Sequence, residues 1–210
     1  MKPNQDLSTR RVLLSLLKTR GSMTIQEMAQ ELGITEMAVR RHIQAMERDG
    51  WIAGTLVRQA VGRPAHRYAL TAGADDLFPK NYHQLSLDLL GELEAEEGEE
   101  LVRRLFEGRK RKLLAKYSEQ MAGVSLAERV SRLAAIQDAN GYMVAWREDG
   151  GRYTLEEYNC PISQVAQRYN QACTCELALF EKLLGARVER TECLTKGGRK
   201  CTYIIEREEA

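Results

Sequence analysis

GITEMAVRRHIQAMERDGWI, residues 33–52, is the stretch that decides the fold of the first part of this chain. Val39, Ile43 and Met46 recur there at the spacing of one buried helix face, and Gly50 ends the pattern. The opposite face is left with side chains that suit contact with another molecule: Thr35, Glu36, Met37, Arg40, Arg41 and Gln44. Because Arg and Gln can each make two hydrogen bonds to purine edges, the pattern predicts a helix that enters the major groove of DNA.

The sequence before this helix predicts two more helices and a tight turn. An amphipathic pattern over residues 8–18, with Ser8 as its N-cap, predicts the first helix. Thr24 and Glu27 have the spacing of a capping box, which predicts a second, short helix that ends at Gly33. A short helix, a glycine turn and a basic helix together predict a helix-turn-helix, in which the first helix braces the second against the DNA backbone.

The sequence after the basic helix predicts a β-hairpin. Alternating patterns over residues 51–59 and 66–71 flank a Gly-Arg-Pro tip at 62–64. This hairpin would be the wing of a winged helix domain, and we expect Arg63 at its tip to enter a narrow, negative minor groove. His66 and Arg67 are expected to contact the DNA backbone. The alternative is a helical hairpin with a β-turn whose arginines are merely solvated.

The charge of the chain is distributed unevenly, although the net charge is only +1. Residues 1–73 contain eleven Lys and Arg against six Asp and Glu, whereas the remainder contains twenty against twenty-four. The first part is therefore the one expected to meet a polyanion, here a double-stranded DNA operator.

The whole sequence predicts an α+β chain in three domains. Residues 1–73 form the winged helix-turn-helix, residues 74–139 a helical linker and dimerisation region, and residues 140–210 a cysteine-rich α+β sensor domain. The helical region contains an apolar stripe over 101–117. We expect this stripe to form a homodimer interface, because bacterial helix-turn-helix proteins usually bind two-fold symmetric sites as dimers.

All five cysteines lie between positions 160 and 201. In a reducing compartment such clustering favours metal or redox chemistry over structural disulfides. Two predicted helix starts and one hairpin can gather four sulfurs around one centre: Cys160, Cys173, Cys193 and Cys201, with Cys175 as an alternative ligand. Widely spaced single cysteines fit an iron–sulfur cluster somewhat better than a zinc site. Plain packing of buried thiols and a metal-free thiol–disulfide switch are the alternatives.

Two stretches of the chain resemble known bacterial regulators. GITEMAVRRHIQAMERDGWI and the following GRPAHRYALT resemble the winged-helix regulators of the DeoR/ArsR type. NCPISQVAQRYNQACTCELALFEKLLG and VERTECLTKGGRKCTYII resemble the C-terminal domain of SufR-type regulators, which are iron–sulfur-sensing repressors of cluster-assembly operons. The resemblance implies a [4Fe–4S] or [2Fe–2S] cofactor, and it carries most clearly onto Cys160, Cys173 and Cys193, with Cys201 next.

The sequence therefore predicts a DNA-binding transcription regulator, a repressor by the resemblance, whose DNA affinity is set by an iron–sulfur cluster. One alternative is a winged-helix regulator with a zinc, thiol-redox or small-molecule sensor. Another is an interaction protein that binds a ligand or a cluster and whose helix-turn-helix contacts protein. We expect no enzyme, because the chain has no P-loop, no H-E-x-x-H and no G-x-S-x-G. Without an apolar run of about 18 residues or a signal peptide, a cytoplasmic location is expected.

Overall fold

The computed structural model describes residues 3–58 and 64–207, with side chains from residue 9 onward. The contacts divide the chain into two compact units, Met1–Lys80 and Asn81–Ala210. The predicted helical region 74–139 and the predicted sensor domain 140–210 largely fall into the second unit, where they share one hydrophobic core.

The first unit has the elements of a winged helix domain in the expected order. Three helices, α1 (Pro3–Arg20), α2 (Ile25–Leu32) and α3 (Glu36–Arg48), precede two antiparallel strands, β1 (Ile52–Val57) and β2 (Ala65–Leu70). A 3-10 helix, Ala72–Leu77, follows β2. The prediction of Ser8 as an N-cap is wrong, because α1 begins five residues earlier, at Pro3.

The core of the first unit is formed by the apolar stripes of its three helices. Val39, Ile43 and Met46 of α3 are buried, as the periodicity predicted, and they pack with residues of α1 and α2 such as Leu13 and Met28. Met23, in the turn before α2, exchanges two backbone hydrogen bonds with Tyr68 of β2. This bridge ties the wing directly to the start of the helix-turn-helix.

The second unit begins with three long helices, and two shorter helices and four strands follow them. The helices are α4 (Tyr82–Glu97), α5 (Glu99–Met121) and α6 (Leu126–Ala139). The later elements are β3 (Val144–Asp149), β4 (Arg152–Glu157), α7 (Ser163–Arg168), α8 (Gln171–Leu184), β5 (Arg187–Glu192) and β6 (Cys201–Glu206). The four strands form one antiparallel sheet in the order β3-β4-β6-β5.

The apolar stripe of α5 is used inside the second unit. Val102, Phe106 and Tyr117 are buried in a core in which α5 packs against α8. Leu105 is the exposed exception among the apolar residues of that stripe. The stripe is therefore largely intrachain core, and the expectation that it forms a dimer surface is wrong for most of its length.

None of the helices in the described part of the chain is both long and apolar enough to cross a lipid bilayer.

Candidate nucleic-acid interface and cysteine cluster

The outer face of α3 presents the predicted DNA-reading side chains to solvent. Thr35 is the N-cap of the helix, and its hydroxyl accepts a hydrogen bond from the backbone N–H of Ala38 at 3.2 Å. The six predicted contact residues are all exposed: Thr35, Glu36, Met37, Arg40, Arg41 and Gln44. Met37 is the extreme case, with 75% of its surface accessible. A methionine this exposed on an otherwise polar helix face is a suitable apolar contact for a thymine methyl group.

Arg40 and His66 line the same groove of the first unit. The walls of this groove come from the start of α2, from α3 and from β2, and they include Thr24, Gln26 and Tyr68. The fold therefore brings the predicted helix contact Arg40 next to the predicted wing contact His66. Arg63, the predicted minor-groove residue, lies outside the described residues, and its role stays a prediction.

Arg67 has intramolecular partners that the sequence did not indicate. Its guanidinium donates to the hydroxyl of Ser22 at 3.2 Å and to the backbone carbonyl of the same residue. It also pairs with the Glu27 carboxylate at 3.3 Å. These contacts fasten the wing to the turn before α2, so the geometry favours a positioning role for Arg67 over a direct phosphate contact. Forty or more residues separate the partners, which is why no local pattern revealed them.

Glu27 closes the predicted capping box and links it to the wing. Its carboxylate accepts from the backbone N–H of Thr24 at 2.7 Å, while the Thr24 hydroxyl accepts from the Glu27 backbone N–H at 3.2 Å. The hydrogen bond from the Thr24 backbone, aided by the positive charge of Arg67, holds the pKa of Glu27 below its ordinary value of 4.5. The ionised carboxylate is thus the form that stabilises the junction of α2 and the wing.

Glu27→Gln is expected to destabilise the chain at neutral pH but not in acid. A carboxylate with a lowered folded-state pKa contributes stability above its unfolded-state pKa and loses it as the pH falls through the folded value. The stability difference between wild type and variant should therefore shrink as the pH falls from neutral to well below 4.5. Denaturant unfolding followed by circular dichroism measures it at each pH. A difference that is independent of pH would show that the charge of Glu27 does not matter.

Three of the predicted ligand cysteines meet around the turn between β5 and β6. The Thr195 hydroxyl lies 3.1 Å from the Cys193 sulfur and 3.7 Å from the Cys173 sulfur. The sulfur of Cys201 accepts the backbone N–H of Leu194 at 3.4 Å. All five cysteines of the chain are free thiols. The structure therefore gathers Cys173, Cys193 and Cys201, from α8 and from both ends of the hairpin, into one buried group.

Gly198 allows the turn that brings Cys193 and Cys201 together. Its backbone N–H donates to the Cys193 carbonyl at 2.9 Å. A Cβ added at this position would lie only 2.7 Å from that carbonyl oxygen, closer than real Cβ atoms approach. Only glycine fits here without moving the backbone that carries Cys193.

Cys160 and Cys175 differ in their relation to this group. Cys160 follows β4, is less buried than the others, and is close enough to Cys173 for the two thiols to interact electrostatically. Cys175 instead donates to the Glu107 carboxylate on α5, at 3.3 Å. Since successive helix residues are rotated by about 100°, Cys173 and Cys175 project from different sides of α8. That helical spacing was the sequence signal that could have separated Cys175 from the other four.

The thiols of this group are not equivalent as acids. Burial raises the pKa of Cys201 to about 12 and that of Cys160 to about 11, and it also raises the pKa of Cys173. Burial acts in the same direction on Cys193, but hydrogen bonds from Thr195 and the charge of Arg190 outweigh it and lower the pKa of that thiol. Cys193 is therefore the thiol that ionises first.

The chemistry of this donor set suits a thiolate-bound group. Its members are soft sulfur ligands, one sulfur already accepts a backbone N–H, and Arg190 supplies positive charge that balances thiolates. Within residues 3–58 and 64–207, however, no three His, Cys, Asp or Glu side chains are placed to hold a single metal ion.

The family model that matches the chain lies within the first unit. No curated protein matches the chain. The solved structure of a cysteine-to-serine mutant of ZitR from Lactococcus lactis is 20% identical, over 50% of this chain and 74% of that chain, with a TM-score of 0.31. PadR from Bacillus subtilis, in complex with operator DNA, is 13% identical, over 82% and 98%, with a TM-score of 0.29. Scores this low do not establish a shared overall fold.

The family model described as winged helix-turn-helix DNA-binding matches residues 6–53. Together with the geometry of α2, α3 and the wing, this match identifies the first unit as a winged helix-turn-helix DNA-binding domain.

Proposed function

We propose that the chain is a homodimeric transcription regulator that represses its target genes and senses an iron–sulfur cluster. The observation that supports DNA reading is the exposed polar face of α3, which is backed by a fully buried stripe and lies beside the groove of Arg40 and His66. The observation that supports sensing is the buried thiol group around Thr195. The resemblance to SufR-type repressors implies that the cofactor held there is an iron–sulfur cluster.

The residues that would hold the cluster are Cys160, Cys173, Cys193 and Cys201. When bound, a cluster supplies a redox- and iron-dependent link between α8, the β5–β6 turn and the segment after β4. The chain's own part is to exclude water from the thiols, to balance their charge with Arg190 and to hold Cys193 and Cys201 at a fixed separation through Gly198. A coupling of about 1–3 kcal/mol between this group and DNA binding is enough for a switch.

The direct test is anaerobic purification of the full chain, with iron, sulfide and zinc assayed on one sample. Broad absorption near roughly 400 nm with matching iron and sulfide is the expected result for a thiolate-bound cluster. The same preparation, before and after removal of the cluster, is then titrated with a duplex that the protein itself selects from a random pool. Colourless protein that fails anaerobic reconstitution, or protein with stoichiometric zinc, would contradict the cluster proposal and leave the DNA-binding proposal untouched.

A metal-free thiol switch is the second candidate, and one specific contact favours it. The Cys193 and Cys201 thiols interact directly with each other, and Cys193 has a lowered pKa, which favours attack on an oxidised partner. Mass spectrometry of peptides from air-exposed, iron-free protein would reveal a disulfide between these two residues if this candidate holds.

The homodimer is proposed to form through α4, since the stripe of α5 is mostly buried. Helix α4 has no buried residue, and three large apolar side chains on one of its faces are exposed: Tyr82 (68%), Leu85 (55%) and Leu89 (57%). Their spacing of three and four residues forms a continuous ridge, and a second copy of the same ridge is its natural complement in a two-fold dimer.

Leu85→Glu is expected to convert the dimer to monomer, because it places an unpaired carboxylate in the centre of that ridge. Gln84→Glu is the matched control, since it adds the same charge one residue away, where Gln84 bonds the exposed Asp88. Light scattering coupled to size-exclusion chromatography measures the mass of each. A dimeric mass for Leu85→Glu, equal to that of wild type, would exclude this ridge of α4 as the interface.

A further inference from the structure

A cavity of about 220 Å³ lies in the second unit between α5, α6 and α8. Its size falls below the range of drug-sized pockets, which begins at about 300 Å³, so it suits a smaller molecule. Cys175 lies in its wall, but Cys160, Cys173, Cys193 and Cys201 are not among the described residues that line it. The cavity is therefore separate from the thiol group proposed to hold a cluster.

The walls of the cavity are mainly apolar and partly aromatic. Leucines and an isoleucine come from all three helices, and rings come from Tyr117, Tyr142 and Phe180. Leu133, Phe180 and Leu183 are buried, whereas Arg109, Asn140 and Pro161 are exposed and mark the mouth. A flat apolar body fits between such walls.

Polar side chains also line this cavity. Glu176, near the start of α8, lines the cavity together with Gln137 and Tyr142. Tyr203 donates to the Glu176 carboxylate at 3.2 Å and lies 3.4 Å from that of Glu157, to which Gln137 donates at 2.8 Å. Two carboxyls thus share one tyrosine donor inside the unit.

Each carboxyl of this pair has a second partner besides Tyr203: Gln137 donates to Glu157, and the Tyr142 hydroxyl hydrogen-bonds Glu176. Burial, with repulsion from Glu176, raises the pKa of Glu157 to about 8, and burial also raises the pKa of Glu176. The positive charges of Arg109 and Arg190 oppose the rise in the pKa of Glu176, and Lys110 at the cavity is paired with Glu107 at 2.7 Å. Even a neutral carboxyl keeps acceptor lone pairs besides its O–H, so Glu176 can take a further hydrogen bond from a bound molecule.

We infer that this cavity is a binding site for a small, flat, largely apolar molecule that carries one hydrogen-bond donor, which it gives to Glu176. The apolar body packs between α5, α6 and α8, and the donor points to Glu176, which lines the cavity together with Gln137 and Tyr142. The assignment goes beyond the regulator proposal and does not depend on it, since it concerns neither the DNA-reading face nor the four clustered cysteines.

Indole is a suitable probe, because it is flat and apolar and has a single N–H donor. Indene is its matched control, since it has nearly the same shape and no N–H. Equilibrium dialysis of the full chain against each compound is expected to show saturable binding of one indole per chain. Indene should bind at least about tenfold more weakly, because hydrogen bonds to charged or buried acceptors are costly to leave unmade.

Two variants separate binding in the cavity from binding elsewhere. Leu113 and Leu114 are adjacent and both half-buried on α5, but only Leu113 lines the cavity. Leu113→Trp should abolish indole binding by filling the space, while Leu114→Trp should retain it, with circular dichroism confirming that both fold. Glu176→Leu should remove the preference for indole over indene. The inference is overturned if indole binding does not saturate, if the wild-type protein binds indene as tightly as indole, or if Leu113→Trp still binds indole. The comparison of indole with indene in the wild-type protein remains decisive even if a variant fails to fold.

Discussion

Arg40→Ala is expected to weaken binding to a selected DNA duplex by about tenfold to a hundredfold, because a bidentate contact of arginine with a guanine edge contributes about 1–3 kcal/mol. Arg40 is exposed on α3 and lines the groove that also contains His66. Fluorescence anisotropy with a labelled duplex measures the change. The fold should be preserved, because the buried stripe of α3 lies on the opposite side of the helix.

The matched control for this variant is Arg152→Ala, which removes the same charge from an exposed arginine of the second unit that pairs with Glu206. Its DNA affinity should equal that of wild type. The dependence of affinity on salt adds a second readout. A phosphate contact at Arg40 would lower the salt slope by about one without changing sequence preference, whereas a base contact would relax the preference. If Arg40→Ala binds the duplex as tightly as wild type, Arg40 does not contact the DNA, and its predicted role as a reading residue is wrong.

Cys173→Ser is expected to eliminate bound iron and sulfide, whereas Cys175→Ser is expected to leave both at the wild-type level. The two residues are only two positions apart on α8. The Cys173 sulfur lies near Thr195, which also contacts Cys193, while the Cys175 sulfur bonds Glu107 on α5. The substitution is the same in both variants, and both cysteines are buried, so the pair differs mainly in the side of the helix that is changed.

Metal content and the absorbance spectrum of the two anaerobically purified proteins measure this difference. Circular dichroism checks that each variant folds. Retention of iron by Cys173→Ser together with its loss from Cys175→Ser would reverse the assignment of ligands. Equal loss from both would show that the interior of α8 tolerates neither change, and Cys193→Ser, in the β5–β6 turn, would then be the variant that tests the thiol group.

The features that the sequence predicted correctly are those set by contacts between near neighbours. The capping box of Thr24 and Glu27 and the cap of Thr35 involve residues three positions apart, and the buried stripe of α3 follows from the helical period alone. A turn glycine at Gly33, with a positive φ of 63°, belongs to the same class, because glycine adopts that conformation without steric cost.

The prediction failed where a helix had two possible neighbours. The stripe of α5 has the period of a buried face, but the period does not say whether the partner belongs to the same chain or to a second copy. In the structure, α8 provides the partner for α5, and it is α4 that has an apolar face exposed to solvent. Which of two amphipathic helices is covered depends on the packing of the whole unit.

The sequence by itself determined the winged helix-turn-helix, the exposed polar face of α3 and the presence of a cysteine-rich region, because these follow from local spacing, capping and composition. Only the tertiary structure decided that Arg67 holds the wing to Ser22 and Glu27, that Cys173 and Cys175 point to different neighbours, and that Glu176 lines a cavity. Each of these depends on contacts between residues that are distant in the chain, and chain folding brings such residues together only after every element has found its packing partner.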